Sequence, residues 1–274
     1  MPDISVNDVP VALTVAGSDS GAGAGVQADL ATMSSLGVHG VSVLTCVTAQ
    51  NPKEVLGVQL CDLAMIRNQL VAVQNGFRVS AMKTGMLAES SVIHEFCDWL
   101  EGQSGTQKLV VDPVMVSTSG RSLLAPEAVD ALKKRLLPKA TLITPNLPEA
   151  EALTGRSVST EEQMKEAAAC LADETGAAVL LKGGHLSATS DAVDVFHSDE
   201  GQELLTSRRL DIPEGVHGTG CTLSAAVTAL LARGLDLRSA VMDAKVYITE
   251  AIEHRRSHSG HSILGWSWAY ERGE

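Results

Sequence analysis

Aromatic residues are scarce in this chain: Phe, Tyr and Trp make up only 3% of its 274 residues. That is too few for the stacking platforms that hold single-stranded nucleic acids. Basic residues are also in short supply, 21 against 33 acidic, for a formal net charge of −12. They are scattered, so no cationic groove for a duplex is expected and no nucleic-acid partner. The five cysteines (Cys46, Cys61, Cys97, Cys170 and Cys221) show no CxxC pair and no ligand-like spacing to histidine. An odd number in a chain with a sizeable apolar fraction reads as free thiols in a reducing compartment. The opening stretch MPDISVNDVPVALTVAG has acids and no basic flank, so it is not read as a signal peptide. No apolar run approaches the roughly eighteen residues of a membrane span. A cytoplasmic protein without a membrane partner is expected.

Two nucleotide-binding motifs are also missing. The dinucleotide fingerprint G-x-G-x-x-G, begun at Gly21, needs glycine at 26, where Val26 stands; begun at Gly23, it meets Ala28. No acid closes the second apolar run to hold a ribose, because Gln50 and Asn51 stand there. A nicotinamide-dependent oxidoreductase is therefore disfavoured. The phosphate loop G-x-x-x-x-G-K-[ST] does not occur either.

What the chain does have is alternation. Short β-branched runs at 11–17, 40–50, 79–83, 108–114, 141–146 and 177–185 are separated by helical patterns at 26–37, 62–75, 89–101, 126–137, 148–154 and 160–175. Then AVDVFHS and GQELLTSRRL, flanking the turn at 199–201, predict an antiparallel hairpin, followed by helices over about 219–233 and 236–256. This order implies an α/β fold: a mostly parallel sheet covered on both faces, with an antiparallel edge, in one domain. Such sheets bind ligands beyond the carboxyl ends of their strands.

Chemistry-bearing residues stand at those ends. GSDSGAGAGVQAD (17–29) follows the first strand, and its glycines, Gly17 included, allow a sharp turn or a close ligand approach. Asp29, near the start of the next helix, suits either the helix dipole or a polar ligand. Gln50 offers both donor and acceptor to a heterocycle or hydroxyl. Met86, in MKTGML, is an adaptable apolar wall or ordinary core. Asp112, before Pro113, and Asn146 and Glu149, in PNLPEAE, follow neighbouring strands; the two carboxylates are placed to hold Mg²⁺ through water and phosphate oxygens, although Glu149 also suits a helix's first turn. Lys182 precedes Gly183, Gly184 and His185 and suits polyphosphate.

In HGTGCT the amides of Gly218, Thr219, Gly220 and Cys221 open a helix and form an anion site, as a phosphoryl group in flight requires. The same field is expected to lower the pKa of Cys221, so that its thiolate takes the proton of an attacking hydroxyl. The other four cysteines read as buried small hydrophobes. Together these strand-end residues point to phosphoryl transfer.

AGSDSGAGAGVQADLATMSSLGVHGVSVLTCVTAQN, KTGML, DPVMVSTSG, LITPNLPEAEALTG, LLKGGHL and HGTGCTLSAA together resemble the hydroxymethylpyrimidine/phosphomethylpyrimidine kinases of thiamine biosynthesis. These belong to the ribokinase-like superfamily, near the pyridoxal kinases. The resemblance runs in order from about residue 11 to 250. It implies a ribokinase-like three-layer αβα sandwich, with a core of about 11–256 and a divergent tail at 257–274. It implies an ATP- and Mg²⁺-dependent kinase, commonly a homodimer, that phosphorylates 4-amino-5-hydroxymethyl-2-methylpyrimidine and then its monophosphate. Gly17, Asp29, Gln50 and Met86 fall at the pyrimidine, Asp112 and Glu149 at the metal, Asn146 and Lys182 at the nucleotide phosphates. GTGC falls at the anion hole, with Cys221 as base. Vitamin B6 kinase activity is the nearest alternative. Two departures stand out. Ser20 follows Asp19 where the family usually has proline, with only a small change of loop stiffness expected. The tail lacks the glycine-rich segment ending in Gly-Pro, and Trp266 and Trp268 are expected to pack on the body.

Overall fold

Val11–Asp19 (β1) is buried at every position from Ala12 to Gly17, as a strand covered on both faces must be. The computed structural model describes residues 9–103, 108–116, 123–184, 191–210, 212 and 215–266. Within them β1 lies inside a nine-stranded sheet of order β3-β2-β1-β4-β5-β6-β7-β8-β9. The other strands are β2 (His39–Gln50), β3 (Val55–Leu60), β4 (Val79–Thr84), β5 (Leu109–Val111), β6 (Leu142–Ile143), β7 (Ala178–Lys182), β8 (Asp191–Ser198) and β9 (Gly201–Arg208). From β2 to β7 the neighbours are parallel. β8 and β9 form the expected antiparallel hairpin and pair with β7 through β8.

The helices are α1 (Gly25–Ser35), α2 (Leu63–Gly76), α3 (Ser90–Glu101), α4 (Pro126–Ala131), α5 (Leu147–Thr154), α6 (Glu161–Thr175), α7 (Thr219–Ala232) and α8 (Leu237–Glu253). Alternation along the strands sorts them into two layers. Leu13 and Val15 of β1 face a core shared with α2 to α6. Ala12 of β1 and Ala81 of β4 face the opposite core, shared with α1, α7 and α8. Small side chains on that second face let α7 sit close to the sheet, and every residue from Thr222 to Ala232 is buried. This is the ribokinase-like αβα sandwich, with the sheet between two helical layers.

The structure departs from the sequence pattern in three places. Residues 55–60, where no element was expected, form β3, antiparallel to β2 at the sheet's other edge. Its half-covered burial explains why its alternation is weak. The helix expected over 126–137 is α-helical only to Ala131; the chain then widens to a π turn at Leu132–Leu136 and tightens at Leu137–Lys139, where Pro138 has no N–H to continue the ladder. Beyond α8, β10 (Arg256–His258) and β11 (His261–Ile263) make a separate small ribbon. Trp266 packs as expected: its Nε1 donates to Thr222 Oγ1 at 3.1 Å, which holds the tail on α7. Trp268, His185 and residues 117–120 of DPVMVSTSG lie outside the described residues.

Candidate active site

β1 pairs with β2 on one side and β4 on the other, so the crevice beyond their carboxyl ends lies where the chain's path reverses. Asp19 closes β1 and shapes the glycine loop. Its Oδ1 accepts from the Gly21 N–H at 2.8 Å, and its Oδ2 from those of Gly23 and Ala24 at 3.1 and 2.8 Å. Burial works against its charge, but bonds from His217, Gly21 and Ala24 outweigh it and hold Asp19 below the usual carboxylate range. Ser20, in place of the family's proline, does more than alter stiffness. Its hydroxyl donates to the Gln50 carbonyl and accepts from the Gln50 N–H, both at 2.8 Å, tying the loop to the end of β2.

The turn into α7 meets this loop almost backbone to backbone. Gly218 has φ +82°, and a Cβ there would stand 1.7 Å from the Gly23 carbonyl oxygen. Only glycine fits. This contact brings the N-terminus of α1 beside that of α7, and the Gly25 N–H, at the start of α1, favours the charged form of the Cys221 sulfur. Thr219 and Gly220 open α7, and a Cβ on Gly220 would lie 3.2 Å from Lys182 Nζ. Two helix N-termini therefore converge above a lysine.

Beneath them lie two buried ionic groups. Thr14 of β1 and Lys83 of β4 are register partners. Asp29 of α1 bridges them, its Oδ2 accepting from Thr14 Oγ1 at 2.6 Å and its Oδ1 pairing with Lys83 Nζ at 2.7 Å. Lys83 and Asp29 are both fully buried. Burial opposes the ammonium, but the Asp29 carboxylate holds the Lys83 pKa above its ordinary value. In the second group Asp112 Oδ1 pairs with Lys182 Nζ at 2.9 Å and accepts from Thr144 Oγ1 at 3.2 Å, while its Oδ2 accepts from Ser224 Oγ at 3.3 Å. Burial opposes the charge of Asp112, and Lys182 and Lys83 outweigh it. Asn146 and Glu149 form a capping box at the start of α5, with both bonds at 2.9 Å. Such a cap is worth about 1 kcal/mol to the helix. Burial, reinforced by the charge on Asp112 and resisted by Lys182, pushes the Glu149 carboxyl up to about 7.

On the loop side, Gln50 stands with its amide nitrogen 3.0 Å from His217 Nε2. Gly17 lies under Met86 and Cys46: a Cβ there would be 3.5 Å from the Met86 sulfur and 2.7 Å from Cys46 Sγ. Met86 is half-buried, its sulfur 3.8 Å from Cys46 Sγ, against the loop rather than in the core.

Two expectations require correction. Asp29 is not open to a ligand, because it is fully buried with both oxygens held by Lys83 and Thr14. Nor is Cys221 activated in the unliganded protein. Burial pushes its thiol up to about 11, with the charges on Asp29 and Asp112 adding to it and Lys83 and the Gly25 N–H pulling the other way. The local helix field predicted the opposite, since it ignores the burial of the thiol first of all, and then two carboxylates that only the tertiary fold brings close. Lys83 and His217 were missed, although both lie in quoted motifs. A lysine inside the apolar run VSAMKT was the available signal. Among the described residues, no cluster of three or more His, Cys, Asp or Glu makes a self-sufficient metal site.

The sequence model of the family described as phosphomethylpyrimidine kinase matches residues 19–265. The hydroxymethylpyrimidine/phosphomethylpyrimidine kinase of Haemophilus influenzae is 44% identical over 272 residues, covering 97% of this chain and all of that protein. An ADP complex of Bacillus subtilis pyridoxal kinase superposes with a TM-score of 0.88 at 39% identity, covering 96% of this chain and 99% of that one. The phosphomethylpyrimidine kinase of Clostridium difficile superposes with a TM-score of 0.78 at 41% identity, covering 88% and 99%.

Proposed function

The chain belongs to the hydroxymethylpyrimidine/phosphomethylpyrimidine kinase family, and on that premise we propose how its own residues carry the reaction. It is an ATP-dependent phosphotransferase of thiamine biosynthesis, acting on the hydroxymethylpyrimidine and then on its monophosphate. The observation that carries the site assignment is the convergence of the α1 and α7 N-termini on Cys221, above the Asp112–Lys182 pair.

The pyrimidine sits against Gly17, Gln50 and Met86, with its hydroxymethyl group toward Cys221. The polyphosphate of ATP lies over the start of α5, Asn146 and Lys182. The amides of Gly218, Thr219 and Gly220 face the phosphoryl group in flight and stabilise its charge without reorganising. Asp112 and Glu149 suit Mg²⁺, a hard cation that usually takes one or two carboxylates and completes its shell with water and phosphate oxygens. The fit is supported by Glu149, whose buried carboxyl, pushed up to about 7, gains from a neighbouring cation. Magnesium, when bound, neutralises phosphate charge. Lys182 supplies a second positive charge from the floor and orients Asp112.

In the transfer the hydroxyl O–H bond breaks as its oxygen bonds to the γ-phosphorus, and ADP leaves. Cys221 takes the proton as its thiolate, which the Gly25 N–H and the Lys83 charge favour and burial opposes. The thiolate is thus a minor species at neutral pH, and turnover should follow its fraction upward with pH. Five cysteines without a disulfide support work in the cytoplasm, and among the described residues no helix is long and apolar enough to cross a membrane. One kinase domain over 1–274, assembling as a homodimer, completes the reading; two cores on one sheet support the single domain.

Pyridoxal kinase activity is the second reading, favoured by the likeness to the Bacillus subtilis enzyme. ADP release and product analysis with the pyrimidine alcohol, its monophosphate and pyridoxal, each with excess MgATP, separate the two. A pyrimidine diphosphate is expected; turnover of pyridoxal alone would overturn the first reading.

A further inference from the structure

His217 is the last residue before Gly218, and its ring reaches across to the glycine loop. Two close contacts fix it there. A Cβ on Gly23 would lie 2.6 Å from His217 Cδ2, and the Gly218 turn is jammed against Gly23. So placed, His217 Nε2 stands 3.1 Å from Asp19 Oδ2 and 3.0 Å from the Gln50 amide nitrogen.

Those two neighbours make different demands on one nitrogen. Asp19 is an acceptor that already receives three backbone N–H groups, so Nε2 must carry a proton toward it. A protonated Nε2 cannot accept from an amide NH₂. Thr48 presents the same conflict at the other end of the amide. Its single hydroxyl proton goes to the Ser18 carbonyl at 2.9 Å, so it cannot also donate to the Gln50 oxygen 3.3 Å away. Both conflicts vanish when the amide is turned over, because amide O and N have nearly the same shape and the bonding network decides between them. Oε1 then shares the single His217 Nε2–H with Asp19 Oδ2 in a three-centre bond, where an NH₂ would face that hydrogen with its own, and the NH₂ donates to Thr48 Oγ1. One amide hydrogen and one oxygen lone pair remain for a ligand, in a fixed order.

We propose that His217 is a specificity-determining positioning residue: its Nε2–H sets which way Gln50 presents donor and acceptor to the substrate ring, and so distinguishes an aminopyrimidine edge from its oxo counterpart. The proposal rests on the placement of Gln50 at the pyrimidine. An aminopyrimidine edge offers a donor beside a ring-nitrogen acceptor, and the 4-oxo tautomer offers the reverse. A carboxamide free to turn over accommodates either edge; one pinned at both ends does not. His217 also adjoins the anion hole, so the residue that orders ring recognition is bonded through the chain to the group that holds the phosphoryl.

The test is a double-mutant cycle on kcat/KM for the 4-amino pyrimidine alcohol and its 4-oxo analogue, with KM for ATP followed in parallel. His217→Leu should reduce the amino-over-oxo preference by about tenfold or more, the usual cost of one buried hydrogen bond to recognition, and leave KM for ATP near wild type. His217→Gln, whose amide can donate from a similar reach, should keep most of the preference. On a Gln50→Ala background, His217→Leu should change it no further. If His217→Leu fails to fold, His217→Asn, which keeps polarity but falls short of Gln50, takes its place. An unchanged preference in the histidine variants, with Gln50→Ala still raising the pyrimidine KM, would overturn the role of His217 alone. An unchanged pyrimidine KM in Gln50→Ala would overturn the placement beneath it.

Discussion

Gly218 lies so close to Gly23 that a Cβ on the former would overlap the carbonyl oxygen of the latter, at 1.7 Å. This contact joins the two loops that form the site. It carries the α7 N-terminus, with Thr219, Gly220 and Cys221, to the edge of the glycine loop and the start of α1. A side chain at 218 would also have to adopt φ +82°, which costs an L-residue about 1–2 kcal/mol before any clash. Gly218→Ala should therefore shift the anion hole by an ångström or more and lower kcat by about 10²-fold. Secondary structure should survive, since neither core is touched. Steady-state kinetics beside circular dichroism check this; a variant with normal kcat would show that the contact is dispensable.

Cys221→Ser should fold and bind ATP normally but turn over roughly 10²–10⁴-fold more slowly, the range for loss of a positioned proton acceptor. An unchanged rate would class Cys221 with the other thiols, of which Cys46 and Cys97 are buried as expected and Cys61 and Cys170 are partly exposed.

The same residue makes a prediction about pH. With its thiol pushed up to about 11 by burial and two carboxylates, Cys221 should resist iodoacetamide in the unliganded protein at pH 7–8. Peptide-resolved alkylation should show its rate still rising above pH 9.5, and kcat should climb in parallel. A plateau near the ordinary thiol value of about 8.5 would show that the helix N-termini win over burial.

Glu149 links stability to pH in the metal-free protein. Its pKa is raised from 4.5 in the unfolded chain to about 7 in the folded one, so the folded state prefers the protonated form. The sign follows: stability falls as pH rises from about 4.5 to about 7, then levels off. The loss is about 3–4 kcal/mol at most, at about 1.4 kcal/mol for each pKa step of one. Denaturant unfolding across pH 5–8 should show this fall in the wild type and not in Glu149→Gln. Equal slopes in both proteins would contradict it.

Gln50→Ala should raise KM for the pyrimidine with little change in KM for ATP, by about tenfold for loss of its hydrogen bonds. If only ATP binding weakened, the two ends of the site would have to be exchanged.

Much of this was legible from the chain alone. A strand covered on both faces must be apolar throughout, so VALTVAG, KLVVDPV and AAVLLK declared themselves by composition. Residues at strand ends could then be placed along one edge by counting, which located Gln50, Met86, Asp112, Asn146, Glu149, Lys182 and the helix start at 218–221. The edge strand Val55–Leu60 escaped because a half-exposed strand with a glycine has almost no period.

What only the tertiary structure decided was the pairing of charges. Asp29 and Lys83 are 54 residues apart, and nothing local distinguishes Asp29 from an acid that merely suits a helix dipole. The parallel register of β1 with β4 sets Thr14 beside Lys83, and α1 packing on that face lowers Asp29 onto both. The state of Cys221 follows from the same arrangement. Its backbone field was readable from HGTGCT, but burial and the charges of Asp29, Lys83 and Asp112 act through space and dominate in a low-dielectric interior. Sequence placed most of these residues along one edge of the sheet, though not Lys83 or His217; the three-dimensional packing determined which of them carry charge, because ionisation depends on distance and burial rather than on order along the chain.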